Sequence, residues 1–575
     1  MELLTYADLS TAMGLNFDFG CTVNAIQLRT TDCRNVVALS TFLSSPVAAT
    51  AEGAVGLTLR NVDMAAEYVL RLTDSTGQTF QYPIYLRSIE QQNPAGWMKA
   101  RVSLRYPSQY WGGAGDGRPA GNFVSMSLVA APRNSDSAVL GLNYPKGQVE
   151  LKSIQFYAKA GASYLLQTNA VTETNGLLPS LDGRLVVAHG AFDLTSLQKA
   201  KDAGFSAVRR DMYWDVVERS GAYSFSEFDT GTANLSALGM KALWVLVYGH
   251  PDHGGAVPVS SADFTAYANY LNRVAAFGKT RPVLGYEVWN EPHLAGYWPN
   301  PDPRAYANLL STAVTALKQA DPAAKIVSGG VAIDEPSYLF ALGKTGVLSQ
   351  VSGVGIHPYR KDTYTITSPS YKRAYSAPEM YANDRLVTKQ YLSSAGVTAP
   401  LWNTEAGFST VFFLDPAAYP DALGVAARTR QGQLVLRQVL TQIALNEPLI
   451  TVYRLQDKGV SATDKEMNFG LLDASGNPKP AYNALKILTS LVKDMQFNGT
   501  HLDVPPGLHA LRWSSGTGKV FCLWADHAGE DFTVTLPLGV KQVKTWDGVT
   551  VTPQTVGGNQ VVTVRESAGP LYLVF

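Results

Sequence analysis

The sequence predicts an α/β fold: a (β/α)8 TIM barrel flanked by N-terminal and C-terminal all-β domains of sandwich-like character. Eight apolar strands alternate with amphipathic helical segments in the middle of the chain, which is the count of such a barrel. Short strands separated by Gly, Pro, Asn and Asp occupy both ends of the chain. A doubly wound sheet is the alternative, but no strand ends in a Gly-rich phosphate-binding turn.

Three domains are predicted along the chain. Residues 1–175 form the N-terminal domain, because runs such as "AEYVLRLTD" and "NFVSMSLVAA" alternate apolar and polar residues. After a linker, "ETNGLLPSLDG", the barrel covers residues 180–497. Residues 499–575 form a small β domain, which either stands alone or shares a sandwich with the N-terminal region. The N-terminal domain is a candidate carbohydrate-binding domain, with a place in the sandwich core as the alternative for its aromatic rings Trp97, Tyr110 and Trp111.

The barrel strands are predicted from apolar runs that are followed by helical periodicity. In chain order they are "RLVVAHGAF", "SAVRRDMYW", "KALWVLVYGHP", "LGYEVWNEP", "KIVSGGVA", "VSGVGIHPY", "APLWNTEAGFS" and "LITVYRLQD". The intervening amphipathic segments include "SSADFTAYANYLNRVAAFG", "DPRAYANLLSTAVTALKQADP" and "PEMYANDRLVTKQYLSSAG", and "KPAYNALKILTSLVKDM" follows the last strand.

Composition restricts the partners of the chain. Lys+Arg and Asp+Glu number 47 each, and charged residues are only 16% of the chain, so no net charge attracts nucleic acid or anionic lipid. No segment approaches the roughly 20 apolar residues of a membrane span, and "MELLTYADLS" lacks the features of a signal peptide. Secretion or a periplasmic location is favoured if a signal peptide was removed, and a cytoplasmic one otherwise.

Cys21 and Cys33 are close enough in sequence to pair, whereas Cys522 is interpreted as a small buried hydrophobe.

Polar residues collect at the predicted C-terminal ends of the barrel strands, where the βα loops open on one face. Five of the eight histidines lie there, and so do the following charged and amide residues: Arg209, Arg210 and Asp211 on strand 2, Asn290 and Glu291 on strand 4, Asn403 and Glu405 on strand 7, and Gln456 and Asp457 on strand 8. The five histidines are His189, His250, His253, His293 and His357.

Glu291 and Glu405 are the candidate catalytic pair. Strands 4 and 7 stand nearly opposite each other in a barrel of eight, so the two carboxylates are expected to face each other across its mouth. Two carboxylates about 5 Å apart equip a retaining glycosidase, and a gap of about 6.5 to 9.5 Å leaves room for the water of an inverting one. The sequence leaves the width of the gap open.

The motifs "WNEP" on strand 4 and "WNTEAGFS" on strand 7 resemble glycoside hydrolase clan A. The stretch "AVRRDMYWDVVERSGAYSFSEFD" is similar to the strand 2 region of family 39 and related exopolysaccharide hydrolases, and "IHPY" is similar to the strand 6 motif of the clan. The resemblance implies Glu291 as the acid/base and Glu405 as the nucleophile. It further implies that Asn290 binds the sugar 2-hydroxyl and that Arg209, chosen over Arg210 by the "VRRD" match, orients the nucleophile together with Tyr359.

The remaining predicted substrate-binding residues line the cleft. The resemblance also implies that His250 and His357 lie on its wall, while Trp298 is the favoured platform for a sugar ring and Tyr248 is a further stacking candidate. Several clan members carry a Trp on strand 8 as a sugar platform; here either Tyr453 substitutes for it or the floor of the subsite differs. Other aromatic residues near strand ends are divided between stacking and packing: Trp214, Tyr297, Phe408, Phe412 and Phe413.

Two neighbouring features receive structural interpretations. Glu287 lies deeper in strand 4 than Glu291 and is expected to be the buried partner of an arginine. His250 and His253 with one Asp lack the further ligands that a closed metal site requires, so no metal is predicted.

The predicted function is a retaining β-glycoside hydrolase that acts by double displacement on a β-linked polysaccharide or oligosaccharide, with an endo mode on an exopolysaccharide favoured. No cofactor is implied, the partner is the carbohydrate substrate, and the oligomeric state is left open. The alternatives are an exo-acting β-xylosidase-like enzyme, a transglycosylase, and an inactive polysaccharide-binding protein.

Overall fold

The computed structural model describes residues 3–18, 22–24, 29–32, 37–49, 54–60, 66–84, 98–104, Pro107, 109–132, 146–157, 163–166, 180–190, 192–255, 257–360, 377–411, 413–414, Pro416, 418–501, Val504, 507–526 and 531–575. Trp97, Cys21, Cys33 and Phe412 lie outside these residues. The chain divides into two compact units. The first comprises residues 1–179, 362–386 and 494–575, and the second comprises residues 180–361 and 387–493. The division of the chain into three separate domains with the bounds given above stays a prediction.

The second unit is built around a sheet of parallel strands that match the eight predicted ones. Strands 1 to 4 are Leu185–Ala188, Ala207–Tyr213, Lys241–Val247 and Val283–Val288. Strand 5 has two pieces, Ile326–Ser328 and Val331–Ala332, and strands 6 to 8 are Val354–His357, Leu401–Asn403 and Ile450–Tyr453.

The two edges of this sheet are the two pieces of strand 5. Ile326–Ser328 pairs with strand 4, and Val331–Ala332 pairs with strand 6. The backbone N–H of Ser328 also donates to the carbonyl of Gly353 just before strand 6, at 3.2 Å. Because both edges belong to one segment of the chain, the sheet closes on itself, and the predicted (β/α)8 barrel is confirmed.

Helices follow the strands, and sequence signals set their ends. Proline occupies the first helical position in Pro303–Ala320, Pro336–Lys344 and Pro480–Leu491, where its missing N–H costs no hydrogen bond. Ser260 and Asp263 form a reciprocal capping box at the start of Ser261–Gly278. The other α-helices are Leu194–Asp202, Trp214–Val217, Ser226–Ala237, Tyr381–Ser394 and Val425–Ala444. Short 3₁₀ turns lie at Pro251–His253, Val347–Gln350, Pro378–Met380, Lys465–Met467 and Glu566–Ala568, and a two-stranded ribbon pairs Glu218–Arg219 with Ala222–Tyr223.

The first unit is made of antiparallel strands with one parallel pair. One sheet has the order Leu3–Asp18, Lys146–Tyr157, Ala54–Arg60 and Met98–Ser103, and a second has the order Val37–Ala48, Asn122–Pro132, Ala66–Asp74, Thr79–Pro83 and Gln109–Trp111. A hairpin joins Thr22–Asn24 to Arg29–Asp32. A six-stranded sheet has the order Gln496–Thr500, Leu508–Ser514, Lys519–Ala525, Leu571–Val574, Gln542–Thr545 and Thr550–Val551. Tyr110 and Trp111 are exposed rather than buried in a core, and sugar binding by these rings stays a prediction.

The C-terminal β region incorporates one strand from the N-terminal part of the chain. Ser163–Leu165 pairs in parallel with Asp531–Thr535, in a sheet that continues through Asn559–Arg565 to Gln554–Val556. Leu166 packs in the same apolar cluster as Phe521 and Leu573. Cys522 is completely buried on its strand, as predicted for a small hydrophobe. Of the helices in the described part of the chain, none is both long and apolar enough to cross a membrane.

Candidate active site

Glu291 and Glu405 lie at the C-terminal end of the barrel, just beyond strands 4 and 7. Both side chains are mostly buried, with exposed fractions of 16% and 13%. A carboxylate buried to this degree needs partners, because removing its charge from water is costly. The partners of the two carboxylates differ, and that difference indicates their chemistry.

Arg209 on strand 2 is the principal partner of Glu405. Its Nη1 donates to Glu405 Oε2 at 2.7 Å, and its Nη2 donates to Asn290 Oδ1 at 3.0 Å. The guanidinium is completely buried. Arg210, on the opposite face of the strand, instead donates to the carbonyl of Gly190 at 2.8 Å. Of the two arginines between which the "VRRD" motif left a choice, Arg209 is therefore the one that contacts the carboxylate.

Glu405 is held in the ionised form. Burial raises the pKa of its carboxyl, but the charge of His357, the nearby His189 ring and the charge of Arg209 together outweigh burial, so the pKa lies well below its ordinary value. The hydroxyl of Tyr359 donates to Glu405 Oε1 at 2.5 Å. Burial and the adjacent Glu405 charge raise the pKa of Tyr359 well above its usual range, so this hydroxyl keeps its proton and remains a donor.

Glu291 has a titratable partner instead. His357 Nδ1 lies 2.9 Å from Glu291 Oε1, and the imidazole is completely buried. Burial lowers the pKa of His357, but the charges of Glu405 and Glu291 outweigh it, and the pKa is raised. Gly330, between the two pieces of strand 5, makes room for this ring: a Cβ there would lie 2.0 Å from His357 Nε2. Glu291 thus contacts a histidine, which can gain and lose a proton, whereas Glu405 contacts an arginine, which is always charged.

The backbone around Glu291 has an unusual conformation. Trp289 and Glu291 both adopt the left-handed region, with φ of 72° and 45°. Such a conformation costs a non-glycine residue on the order of 1–3 kcal/mol and is concentrated at functional sites. Glu291 then starts a tight turn in which its carbonyl accepts from the N–H of Leu294 at 3.0 Å. The turn directs the carboxylate into the barrel mouth.

Glu287 supports this arrangement from below. Its fully buried carboxylate accepts from Arg209 Nε at 2.7 Å and from Arg209 Nη2 at 3.1 Å. It also accepts from the N–H of Gly330 and the hydroxyl of Thr404, both at 3.0 Å. The prediction that Glu287 is a buried partner of an arginine is confirmed.

Residues 272–512 match the sequence model of glycosyl hydrolases family 39, a span that includes both Glu291 and Glu405. The predicted resemblance is confirmed. The protein is a glycoside hydrolase, and this part of its chain is similar to family 39.

The fold of this glycoside hydrolase is supported by a solved structure with a TM-score above 0.5. A family 39 glycoside hydrolase from the gut symbiont Bacteroides cellulosilyticus WH2 is 20% identical, with a TM-score of 0.55 over 93% of this chain and 100% of that chain. A family 39 enzyme from Xanthomonas axonopodis pv. citri is 15% identical over 70% of this chain and 95% of its own, with a TM-score of 0.49. A family 39 β-xylosidase from Caulobacter crescentus is 16% identical over 72% of this chain and 99% of its own, also with a TM-score of 0.49. No curated protein sequence matches the chain.

Two predicted substrate-binding side chains of the glycoside hydrolase, those of Trp298 and His250, are buried away from the cleft. Trp298 is only 2% exposed, and its ring packs edge-on against Trp289 and Tyr306, so it offers no face to a sugar. His250 is 3% exposed, and its Nε2 contacts the carbonyl of Glu218 at 2.9 Å. The predictions of a platform at Trp298 and a cleft position for His250 are therefore wrong, because both rings fill space between strands and loops.

Tyr453 is also buried, beside the site. Its ring lies 5.5 Å from His189 and 6.3 Å from Tyr359, and its hydroxyl donates to Glu466 Oε2 at 3.0 Å. Phe469 packs against the same ring at 5.0 Å. These contacts cover the ring, so its expected substitution for a sugar-stacking Trp is wrong for the described structure. Phe408 and Phe413 are buried as well and take the packing alternative.

Tyr248 is half-buried and lies within a cluster of rings of which the sequence indicated only a part, and its role in sugar binding stays a prediction. Its ring lies between those of Tyr213 and Tyr297, with centroid distances of 6.0 and 6.1 Å. Tyr213 was not predicted, although it follows Arg209 and Asp211 at two-residue intervals on strand 2 and therefore shares their face. Glu466, which accepts from Tyr453, was also missed because it lies on a loop far from the strand motifs.

His189 and His253 contact carboxylates rather than a metal set. His189 Nε2 lies 3.8 Å from Glu405 Oε2, and its Nδ1 lies 3.7 Å from Asp211 Oδ2. His253 Nε2 lies 3.1 Å from Glu218 Oε1, which also accepts at its other oxygen from Trp214 Nε1. Within the described ranges, no group of three or more His, Cys, Asp or Glu side chains is arranged to hold a metal ion.

Proposed function

We propose that the protein is a retaining β-glycoside hydrolase in which Glu405 is the nucleophile and Glu291 is the acid/base. The observation that carries this assignment is the difference between the two carboxylates. Glu405 is oriented by a permanent cation, Arg209, and by the Tyr359 hydroxyl, both of which favour its ionised form. Glu291 contacts the His357 imidazole, which can lose and regain a proton as the carboxyl does.

In the first step, a Glu405 oxygen attacks the anomeric carbon while the glycosidic C–O bond breaks and Glu291 gives its proton to the departing oxygen. In the second step, Glu291 takes a proton from water, the water oxygen attacks the same carbon, and the bond to Glu405 breaks. The side-chain amide of Asn290 has an orientation that suits binding of the sugar. Its Oδ1 accepts from Arg209, which leaves the amide Nδ2 to donate to the sugar 2-hydroxyl.

We propose a β-linked polysaccharide cut at internal bonds as the substrate. Balanced charge favours a neutral sugar chain. The exposed rings of Tyr213 and Tyr297 extend the surface around the carboxylates beyond a single sugar. An exo-acting β-xylosidase-like enzyme is the competing assignment, and the mode of cleavage distinguishes the two. Transfer to another sugar hydroxyl uses the same two carboxylates, so product analysis with an added acceptor separates it from hydrolysis.

The assignment of roles is tested by rescue with azide. Aryl β-glycosides of different sugars identify the glycone, and both Glu405→Gly and Glu291→Gly are expected to lose most turnover. Azide entering the cavity of Glu405→Gly attacks once and yields the α-glycosyl azide. Azide added to Glu291→Gly attacks the covalent intermediate and yields the β-glycosyl azide. The same anomer from both variants, or full activity in either variant without azide, contradicts the proposal.

The mode of cleavage is tested on β-linked polysaccharides. Internal cleavage lowers viscosity well before much reducing sugar accumulates, whereas exo cleavage releases one short product with little change in viscosity. Binding without cleavage by the wild type, undiminished in Glu405→Gln, favours the inactive binding protein instead.

A further inference from the structure

We propose that Tyr213, Tyr248 and Tyr297 form a binding subsite for the sugar ring of the leaving group. The inference rests on the proposed role of Glu291 as the acid, because it places the leaving group on the same side of the cleft as that residue. The tyrosine cluster would bind a leaving group that is a sugar and would make no contact with a small one.

The cluster is built onto the segment that carries the acid. Tyr297 lies six residues after Glu291, and its carbonyl accepts from Trp289 Nε1 at 3.1 Å. The Tyr248 ring packs edge-on against Trp289 at 5.4 Å. Trp289 thus fixes both tyrosines relative to the backbone from which the Glu291 carboxylate projects. Burial and then the Glu291 charge raise the pKa of the Tyr297 hydroxyl to about 12, so the Tyr297 ring lies within electrostatic reach of the acid.

The rings are open to a ligand. Tyr213 is 40% exposed and Tyr297 is 41% exposed, whereas Tyr248 between them is half-buried. Tyr248 and Tyr297 are nearly parallel, with an interplanar angle of 14°. The Tyr213 hydroxyl donates to Asp211 Oδ2 at 3.0 Å, which fixes the outer ring. Flat amphipathic rings of this kind bind the apolar face of a sugar and leave its hydroxyls to solvent.

Among the residues that the structure describes, the rings on the side of Glu405 form no comparable surface. The rings of Tyr453, Phe469 and Phe413 pack on one another beside Tyr359, with centroid distances of 5.0 to 5.9 Å, and all three are buried. In an in-line displacement, the leaving group departs on the side away from the nucleophile. The open aromatic surface therefore lies where the departing sugar must be held.

The test compares two substrates with the same glycone: an oligosaccharide, whose leaving group is a sugar, and the β-glycosyl fluoride, whose leaving group is one atom. The quantity measured is kcat/KM for the oligosaccharide divided by kcat/KM for the fluoride. Tyr297→Leu removes the aromatic face and is expected to lower this ratio about five- to tenfold. Tyr297→Phe keeps the face and is expected to stay within about twofold of the wild type.

A second variant, Tyr213→Leu, lowers the ratio in the same direction if the cluster acts as one surface. The inference is overturned if both Leu variants keep the wild-type ratio, or if both substrates lose activity equally, since the latter indicates only a disturbed loop. Failure of the proposed function looks different, because the wild type would then cleave neither substrate, and the inference would fall with it.

Discussion

Replacing Glu287 by Gln is expected to weaken the buried ion pair with Arg209 beneath the active site, and so to lower both the stability and the activity of the protein. The change keeps the size of the side chain and, at the position of Oε1, an oxygen that accepts from both the Gly330 N–H and the Thr404 hydroxyl. It removes the negative charge that faces Arg209 and places an amide N–H₂ at the position of Oε2, which accepts from Arg209 Nε at 2.7 Å in the wild type. Arg209 then retains Glu405 as its direct carboxylate partner.

The size of the effect follows from burial. Breaking a fully buried ion pair by removing one partner costs about 3–5 kcal/mol, because the remaining charge loses its compensation. Arg209 is completely buried but keeps Glu405 and Asn290, so we expect a loss of about 3 kcal/mol in the free energy of unfolding. The guanidinium also loses its hydrogen bond at Nε, so kcat/KM is expected to fall about 10- to 100-fold as Glu405 loses its fixed orientation.

The assay combines denaturant unfolding with turnover of an aryl glycoside by the folded fraction. Glu447→Gln is the matched control: Glu447 is equally buried and interacts electrostatically with Arg184, away from the strand ends that carry the two carboxylates. The control should lose stability and keep its activity per folded molecule. A Glu287→Gln variant that unfolds within about 1 kcal/mol of the wild type and turns over normally would refute the reasoning about the buried pair.

Three further outcomes are expected. Trp298→Ala should lower the free energy of unfolding by about 3–5 kcal/mol, measured with denaturant, because the ring is core; lost sugar affinity at unchanged stability would restore the platform assignment. Tyr359→Phe should reduce kcat/KM about 10- to 100-fold by deleting a donor to the Glu405 charge, and unchanged kinetics would contradict this. His293 has a pKa lowered to about 3 by burial and by the charge of His357, so its neutral form stabilises the fold above its unfolded pKa, and this contribution is lost as the pH falls. Between pH 8 and 5 the unfolding free energy of the wild type should fall about 2 kcal/mol more than that of His293→Gln, and equal losses would count against it.

The barrel was predictable because each strand is apolar and short and is followed by a helix, and several of these helices have strong start signals. Pro303 and Pro480 stand at the first turns of their helices, and Ser260 caps another, as local chemistry alone dictates. Strand-end motifs also brought Arg209, Glu405 and Glu291 together correctly, since parallel strands all end on one face.

Burial of individual aromatic rings was not predictable in the same way. Trp298 and Tyr297 are neighbours in sequence near one strand end, yet one is 2% exposed and the other 41%. The turn that begins at Glu291 decides which ring faces inward, and that turn depends on left-handed φ values at two non-glycine residues. No periodicity in the sequence reports such a conformation. His250 was misplaced for a similar reason, because its partner, the Glu218 carbonyl, lies on a separate ribbon.

The interruption of strand 5 has a consequence for anyone who alters this barrel. A continuous strand of ordinary residues would look like an improvement, since it would add regular pairing where the described sheet has two short pieces. At Gly330, however, even one methyl group would occupy the volume of the His357 imidazole and displace the ring from Glu291. The break in strand 5 thus leaves the room that the His357 ring needs to contact Glu291. A redesign that regularises the barrel should therefore keep glycine at this position.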